Sequence, residues 1–329
     1  MVGLLVVGLC GPSSAIPPPE DLPRGADTVV PHLVFSDPPV IKAPGVEIPL
    51  PPAVTTDSDW FGLVGRTDLG WLVLAAMSDG EGGTDRDSLH LVTATGSTKI
   101  LEFGHFDGSP HYRLSASRTR VIRFPTGDIA QYLTVYDLTG KVLAHRKTER
   151  DLHDYAFVHD FTGTRVIYDN RSWRLGERPR VLTSLQVDFA DIGNNTLVVK
   201  EKVGQRRAVA TLSHPGRFRW RAYFHPRMIS PDGSRIAGWH TTRRGTFKGI
   251  LQVRRLSDGK LLTSIDASEG LFGPDGPLIR WEGNSALVFP ESYDPFSGPQ
   301  VLVRCTLAKV CSRASEPAER FSFALRPGW

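Results

Sequence analysis

The sequence predicts an all-β protein, a β-propeller of four-stranded blades that number six, with seven as the alternative. Two observations lead to this prediction. A tight polar turn followed by a short apolar strand recurs along the chain, and the recurrence has a mean period of 43 residues, which is typical of propeller blades. The 32 glycines and 25 prolines among 329 residues also favour many short strands joined by turns.

The clearest copy of the turn and strand is SPDGSRIA at residues 230–237. Proline presets φ for the second turn position, aspartate bonds the backbone beyond it, and glycine accepts the positive φ that closes the turn. Residues 115–121 (SASRTRV) and 160–166 (DFTGTRV) repeat the pattern, and residues 193–195 and 282–284 are poorer copies. The chain is therefore predicted to be a repeat protein.

The strand after each turn is predicted to be the second strand of a blade. These strands are expected at residues 71–77, 120–124, 164–168, 196–200, 235–239 and 286–289. Their equivalent apolar positions are Leu72, Val121, Val166, Leu197, Ile236 and Leu287. Hairpins are predicted after them at residues 135–143 and 253–262, with looser versions at 91–103, 208–220 and 301–314. Residues 173–185 fit worst, because Glu-Arg-Pro replaces the Gly-Lys turn.

Composition divides the chain into three parts. Residues 1–15 are a signal-like segment, residues 16–59 a proline-rich arm or linker, and residues 60–329 the propeller. Residues 32–36 are apolar enough to add one edge strand, and residues 319–325 alternate Phe321 and Phe323 with polar side chains. Because open strand edges promote aggregation, we expect one terminal segment to latch the other end of the ring.

Residues 2–9 are apolar and residues 13–15 are small, which predicts export to a secreted or cell-envelope location. Lipid attachment at Cys10 is an alternative, but Leu9 occupies the position where a small side chain is needed. No other run is long enough to span a bilayer. In an oxidising compartment Cys305 and Cys311 are expected to pair; the alternative is two free buried thiols.

With these turns and strands, the chain resembles the WD-repeat-like propellers of the type found in the periplasmic Tol-system protein, whose blades carry the Ser-Pro-Asp-Gly turn. The resemblance covers roughly residues 60–314. The chain is also similar to secreted actinobacterial propellers whose last blade has an Arg-Cys…Cys hairpin, here Arg304-Cys305 and Cys311. The glycine usual in that turn is missing from residues 306–310. The resemblance implies a binding or scaffold role and carries over no catalytic site.

Basic residues are concentrated in one stretch. Residues 200–260 hold fifteen Lys and Arg against three acidic residues, a net charge of +12, whereas the whole chain carries only +4. Such asymmetry favours an acidic protein or an anionic polymer as partner. The residues predicted to bind it are Arg206, Arg207, Arg217, Arg219, Arg221, Arg243 and Arg244.

The sharpest local feature in this stretch is RFRWRAYF at residues 217–224. On a strand, Arg217, Arg219 and Arg221 share one face, and the other face carries Phe218, Trp220, Ala222 and Phe224. The inward aromatics argue against a specific nucleic-acid site. The alternative to a binding surface is a solvated outer strand of a basic protein.

Catalytic and metal sites are weakly indicated. No Gly-x-Ser-x-Gly occurs, and Ala237 stands where a sialidase-type Asp box needs tryptophan. Residues 78–88 alternate Asp79, Glu81, Asp85 and Asp87, yet His90 replaces the glutamate that would close a calcium loop, so a solvated hairpin tip is favoured.

We expect a non-enzymatic monomer with no catalytic residue, metal or cofactor. The alternative is an enzyme, of hydrolase or lyase type, with a site at the central channel. It would require several of these histidines to meet at the channel mouth: His105, His111, His153, His159, His225 and His240.

Overall fold

The computed structural model describes residues 16–81, 83–105, 111–124, 132–148, 157–201, 206–267, 279–292 and 298–323. Among these residues, 28 strands form seven four-stranded antiparallel sheets, which are the blades of a propeller. The all-β prediction is confirmed, and the number of blades is seven.

The N-terminal part contains a 3-10 turn (Pro19–Asp21), strands β1 (His32–Val34), β2 (Val40–Ala43) and β3 (Val46–Pro49), and a short helix α1 (Pro52–Thr55). Blade one contains β4 (Trp60–Arg66), β5 (Trp71–Ser78), β6 (Thr84–Thr93) and β7 (Gly96–Phe103). Blade two contains β8 (Tyr112–Leu114), β9 (Arg120–Arg123), β10 (Tyr132–Asp137) and β11 (Val142–Lys147). Blade three contains β12 (Val158–Phe161), β13 (Arg165–Tyr168), β14 (Arg171–Arg174) and β15 (Arg180–Val181).

The remaining blades follow in the same order. Blade four contains β16 (Gln186–Asp191), β17 (Thr196–Lys200), β18 (Arg207–Thr211) and β19 (Trp220–Ala222). Blade five contains β20 (Phe224–Ile229), β21 (Arg235–Thr241), β22 (Phe247–Arg255) and β23 (Leu261–Asp266). Blade six contains β24 (Arg280–Glu282), β25 (Ala286–Ser292), β26 (Gln300–Thr306) and β27 (Cys311–Arg313), and the last strand is β28 (Phe321–Phe323).

The predicted second strands are confirmed as β5, β9, β13, β17, β21 and β25. The six apolar positions chosen as equivalent are each the second residue of their strand and are fully buried. The predicted hairpins are also present, and the poorly fitting third blade has an outer strand of only two residues. The turn chemistry thus located the strands correctly, because a turn followed by an apolar strand is a local signal.

The seventh blade joins the two ends of the chain. Strand β28 pairs with β1, which pairs with β2 and then β3. The N-terminal arm thus contributes three strands, where the sequence predicted at most one. Its prolines do not prevent pairing, because they lie between the strands or at a strand end, as Pro49 does in β3. The alternation in the tail is confirmed, since Phe321 and Phe323 are both buried.

The first strand of each blade is its inner strand, and inner strands of neighbouring blades contact one another around the channel. Because successive strands are antiparallel, we call the face where the inner strands begin the front face and the face where they end the rear face. First-to-second and third-to-fourth turns therefore lie on the rear face. Second-to-third turns lie on the front face.

Neighbouring blades are tied together by the repeated turn. The backbone amide of Asp232 donates to Asn284 Oδ1 at 3.0 Å, and Arg235 Nη1 donates to the Asn284 carbonyl at 2.6 Å. At the corresponding position of blade two, Arg120 Nη1 donates to the Gly163 carbonyl of blade three at 2.7 Å. In blades two and five, the arginine that follows the turn is therefore a contact between blades.

A disulfide joins Cys305 to Cys311, directly opposite each other on β26 and β27. The predicted pair is confirmed. Lys309 adopts φ of 64° and so takes the left-handed position that glycine usually fills in such a turn. Cys10 lies outside the described residues. In the part of the chain that the structure covers, no helix has the length and apolar character needed to cross a membrane.

Candidate functional site

An open groove lies on the rear face between blades four and five. It consists of two adjoining sections, each with a cavity volume of about 520 Å³. Both sections are lined by Arg219 and Ser257. The first section adds Thr211, His214, Arg217 and Phe218, and the second adds residues that include Asn194, Arg235, Arg255 and Leu262. We call this feature the rear groove.

The rear groove is built by the connection between β18 and β19, residues 212–219. Two consecutive turns shape it: the His214 amide donates to the Thr211 carbonyl at 3.1 Å, and the Arg217 amide donates to the His214 carbonyl at 3.1 Å. The Trp220 indole then donates to the Leu256 carbonyl of blade five at 2.8 Å. This bond holds the wall contributed by blade four against the turn of blade five.

The rear groove carries an excess of positive charge. Arg235 and Arg255 have acidic neighbours, Asp232 at 3.7 Å and Asp258 at 2.9 Å. The exposed side chains of Arg217 and Arg219 have no ion-pair or hydrogen-bond partner among residues that the structure describes. Two guanidinium groups at this surface are therefore available to an external anion.

The two carboxylates beside the rear groove stay ionised. Hydrogen bonds from the Ser230 hydroxyl and the Ser234 amide lower the pKa of Asp232 to about 2, and the Lys260 amide lowers the pKa of Asp258. Both carboxylates accept a hydrogen bond from a backbone amide of their own turn. They neutralise part, but not all, of the positive charge.

The other predicted binding residues are placed elsewhere. Arg206 and Arg221 both bond Glu201, at 3.0 and 2.7 Å. Arg207 is buried and forms an ion pair with Asp188. Arg243 and Arg244 are exposed in the turn at residues 242–246.

The seven predicted arginines therefore do not form one surface. The turns carrying Arg217 and Arg219 join third to fourth strands and lie on the rear face. Arg206, Arg243 and Arg244 belong to second-to-third connections and lie on the front face. The face on which a connection lies depends on whether it follows an odd or an even strand of its blade. Residue spacing alone does not show this.

The stretch at residues 217–224 is also less regular than expected. Only Trp220–Ala222 forms a strand, and Phe224 already begins the inner strand of the next blade. The predicted apolar side is correct for Trp220 and Phe224, which are buried. Arg217 and Arg219 lie in the preceding turn, which is why they reach the rear groove.

Among the basic side chains that line this site, the predicted binding residues did not include His214, Arg235 or Arg255. A signal for two of them existed. Arg235 directly follows the repeated turn, and Arg255 precedes the Leu-Ser-Asp-Gly turn of the next hairpin. Since both turns are rear-face turns, their flanking arginines converge there.

Two polar networks near the front face join neighbouring blades. In one, Asp188 of blade four approaches His225 Nδ1 of blade five at 3.7 Å and also pairs with Arg207. Burial lowers the pKa of His225 despite this carboxylate. Burial opposes ionisation of Asp188, but the bonds from His225 and Arg207 outweigh it and the pKa of Asp188 is lowered.

In the second network, Tyr112 donates to the buried Asp87, and Arg123 Nη2 donates to Asp87 Oδ1 at 3.1 Å. Burial and the charge of Asp87 raise the pKa of Tyr112 well above its usual value. The Asp87 carboxylate is thus occupied by Tyr112 and Arg123, whereas Asp79 accepts hydrogen bonds from two backbone amides of its own turn. The acidic residues of this hairpin do not converge as calcium ligands would.

The described histidines occupy separate environments. His111 stacks on Phe124 with ring centroids 5.5 Å apart, and His225 packs edge-on against Phe247. His240 lies on a second strand, away from the channel wall. His153 lies outside the described residues. Among the residues that the structure describes, no group of three His, Cys, Asp or Glu side chains could hold a metal ion.

No known protein family and no curated protein matches this chain. Solved structures do match. A functionally unknown protein from Desulfotomaculum acetoxidans has a TM-score of 0.53 at 10% identity, covering 90% of this chain and 99% of its own. An uncharacterized protein from Listeria monocytogenes has a TM-score of 0.52 at 12% identity, covering 80% and 85%.

A third similar structure is the dihydro-heme d1 dehydrogenase NirN in complex with DHE, with a TM-score of 0.54 at 15% identity, covering 90% of this chain and 66% of that one. At such low identity these similarities support the propeller fold and nothing about activity.

Proposed function

We propose that this protein is an exported, non-enzymatic propeller that binds an acidic segment of a partner protein in the rear groove. The observation that carries the proposal is the pair of exposed guanidinium groups, Arg217 and Arg219, at a concave surface beside two further arginines. Arginine presents a planar set of donors that matches carboxylates. Export is supported by the disulfide, which is compatible with an oxidising compartment.

An acidic polypeptide fits the rear groove better than a uniformly charged polymer does. Leu262 lines the groove, is 39% exposed and offers apolar contact. Phe218 lines it as well, with the Arg221 guanidinium 4.9 Å from its ring centre. Mixed apolar and cationic surfaces favour partners that alternate acidic and apolar side chains.

The test is the binding of a fluorescein-labelled peptide that alternates glutamate with leucine, followed by fluorescence anisotropy. Affinity should fall between 0.1 M and 1 M salt, where the screening length drops from about 10 Å to about 3 Å. The double variant R217E/R219E should weaken binding at least about tenfold. The control double variant R243E/R244E makes the same change in net charge on the front face and should bind the peptide as tightly as the wild type does.

A salt-independent affinity would contradict a charge-driven contact. Equal losses in the two double variants would mean that overall charge, and not the rear groove, attracts the peptide. Inorganic polyphosphate serves as the competing probe. If polyphosphate binds the rear groove and the peptide does not, the partner is an anionic polymer and the protein-binding proposal fails.

A further inference from the structure

The repeated turn of blade three places its arginine differently from the turns of blades two and five. Arg165 occupies the position of Arg120 and Arg235, which both donate to a carbonyl of the next blade. Among the described residues, the Arg165 guanidinium has no such bond to blade four. Its Nε donates instead to Ser172 Oγ of its own blade at 2.8 Å. Arg165 is therefore not a hydrogen-bonded contact between blades.

A second arginine lies directly opposite Arg165. The pairing of β13 with β14 places Arg174 across from it, and Cβ atoms at such opposite positions are about 5 Å apart. Arg174 is exposed, and its side chain has no hydrogen-bond or ion-pair partner in the described part of the chain. Like charges directly opposite each other destabilise a sheet. We call these two residues the arginine pair.

The arginine pair is not neutralised by a carboxylate of the chain. Among the residues that the structure describes, no carboxylate forms an ion pair with either arginine. Glu177, in the adjoining rear turn, lies 3.9 Å from Arg180 instead. Burial lowers the pKa of Arg165, and the positive charge of Arg174 lowers it further. The electrostatic neighbour of Arg165 is therefore a like charge.

The arginine pair lies at the rear end of the boundary between blades three and four. Arg165 begins β13 and Arg174 ends β14, so both are near the rear face. Alternation along β13 puts Arg165 on the same side as Ile167, which belongs to the core cluster between these blades. Phe218 packs against that cluster and also lines the rear groove. The arginine pair and the rear groove therefore border the same core cluster.

We propose that the acidic segment bound in the rear groove extends over the rear end of blade four and places a further carboxylate between Arg165 and Arg174. This inference rests on the proposed function, because it extends the same ligand. A carboxylate matches the donors of arginine and would offset the repulsion within the pair. Packed sheets lie about 10 Å apart and an extended chain advances about 3.3 Å per residue. Roughly three residues of the segment would therefore separate the two contacts.

The test compares two peptides of about twelve residues, roughly 40 Å long when extended, by fluorescence anisotropy. One alternates glutamate with leucine throughout. The other has glutamine in place of glutamate in its second half, so its carboxylates suffice for the rear groove alone. R174E should weaken binding of the all-glutamate peptide about fivefold and leave that of the half-glutamine peptide unchanged. The control R243E makes the same charge change on the front face and should alter neither affinity.

A second measurement does not depend on a ligand. R174E replaces the like charge opposite Arg165 with a carboxylate, so it should raise the midpoint of urea unfolding above that of the wild type. A folded variant also excludes unfolding as the cause of a lost affinity. A midpoint below the wild-type value would mean that Arg174 stabilises the fold, and would overturn the inference.

Failure of this inference can be distinguished from failure of the proposed function. If R174E and R243E bind the all-glutamate peptide equally while R217E/R219E loses it, the segment ends in the rear groove and only this inference is overturned. An equal loss for both peptides in R174E would indicate a long-range effect of charge and would overturn it as well. If neither peptide binds the wild-type protein, both proposals are overturned.

Discussion

Removing the ring-closing aromatic Phe323 should destabilise the protein more than any surface change. Phe323 is 1% exposed and lies in one core cluster with Val30, Val288, Leu302 and Phe321. It therefore joins the last strand to the N-terminal arm and to blade six. A buried Phe→Ala substitution costs about 3 to 5 kcal/mol. The ring contact with His32, at 6.2 Å between centroids, places the expected loss near the middle of that range, at about 4 kcal/mol.

The assay is guanidinium chloride unfolding followed by the fluorescence of the seven tryptophans. The matched control is Phe157→Ala, because Phe157 is 51% exposed and should cost less than about 1 kcal/mol. If Phe323→Ala does not fold, Phe323→Leu should lose about 1 to 2 kcal/mol. A Phe323→Ala variant as stable as Phe157→Ala would refute ring closure by this strand.

Two further predictions concern the turns. Replacing both Cys305 and Cys311 with serine should lower the free energy of unfolding by about 2 kcal/mol, and denaturant unfolding with and without reductant would check it; an unchanged midpoint on reduction would contradict it. Asp232→Asn should cost about 1 kcal/mol at neutral pH, because it weakens the bonds from Ser230 and Ser234. Since the folded pKa of Asp232 is lowered to about 2, this difference should be constant above pH ~5 and vanish as pH falls from about 4 to about 2. A difference that persists undiminished near pH 2 would show that the charge of Asp232 is not involved.

Local signals located most of the strands in advance. The position of Ile236 in SPDGSRIA, and of its equivalents, coincides with the second residue of a second strand in six blades. In the seventh blade the same position is Leu33, which is fully buried as well. No polar turn of this kind precedes Leu33 in the chain, because its blade receives the inner strand from the other terminus. Only the long-range pairing of β28 with β1 creates that blade, and a local pattern contains no such information.

The candidate site was predictable only in part. Arg217 and Arg219 were identified from sequence, but their grouping with Arg243 and Arg244 depended on an assumed stacking of blades. Whether a turn lies on the front or the rear face depends on counting strands from the channel outward.

The most direct test of binding in the rear groove is hydrogen–deuterium exchange of the full chain with and without the acidic peptide. We predict slower exchange of the amides in the two rear turns, residues 212–219 and 256–260, because the bound peptide would cover them. The front turn at residues 242–246 should exchange at the same rate in both samples. Protection confined to the front turn, or spread evenly over both faces, would contradict the account.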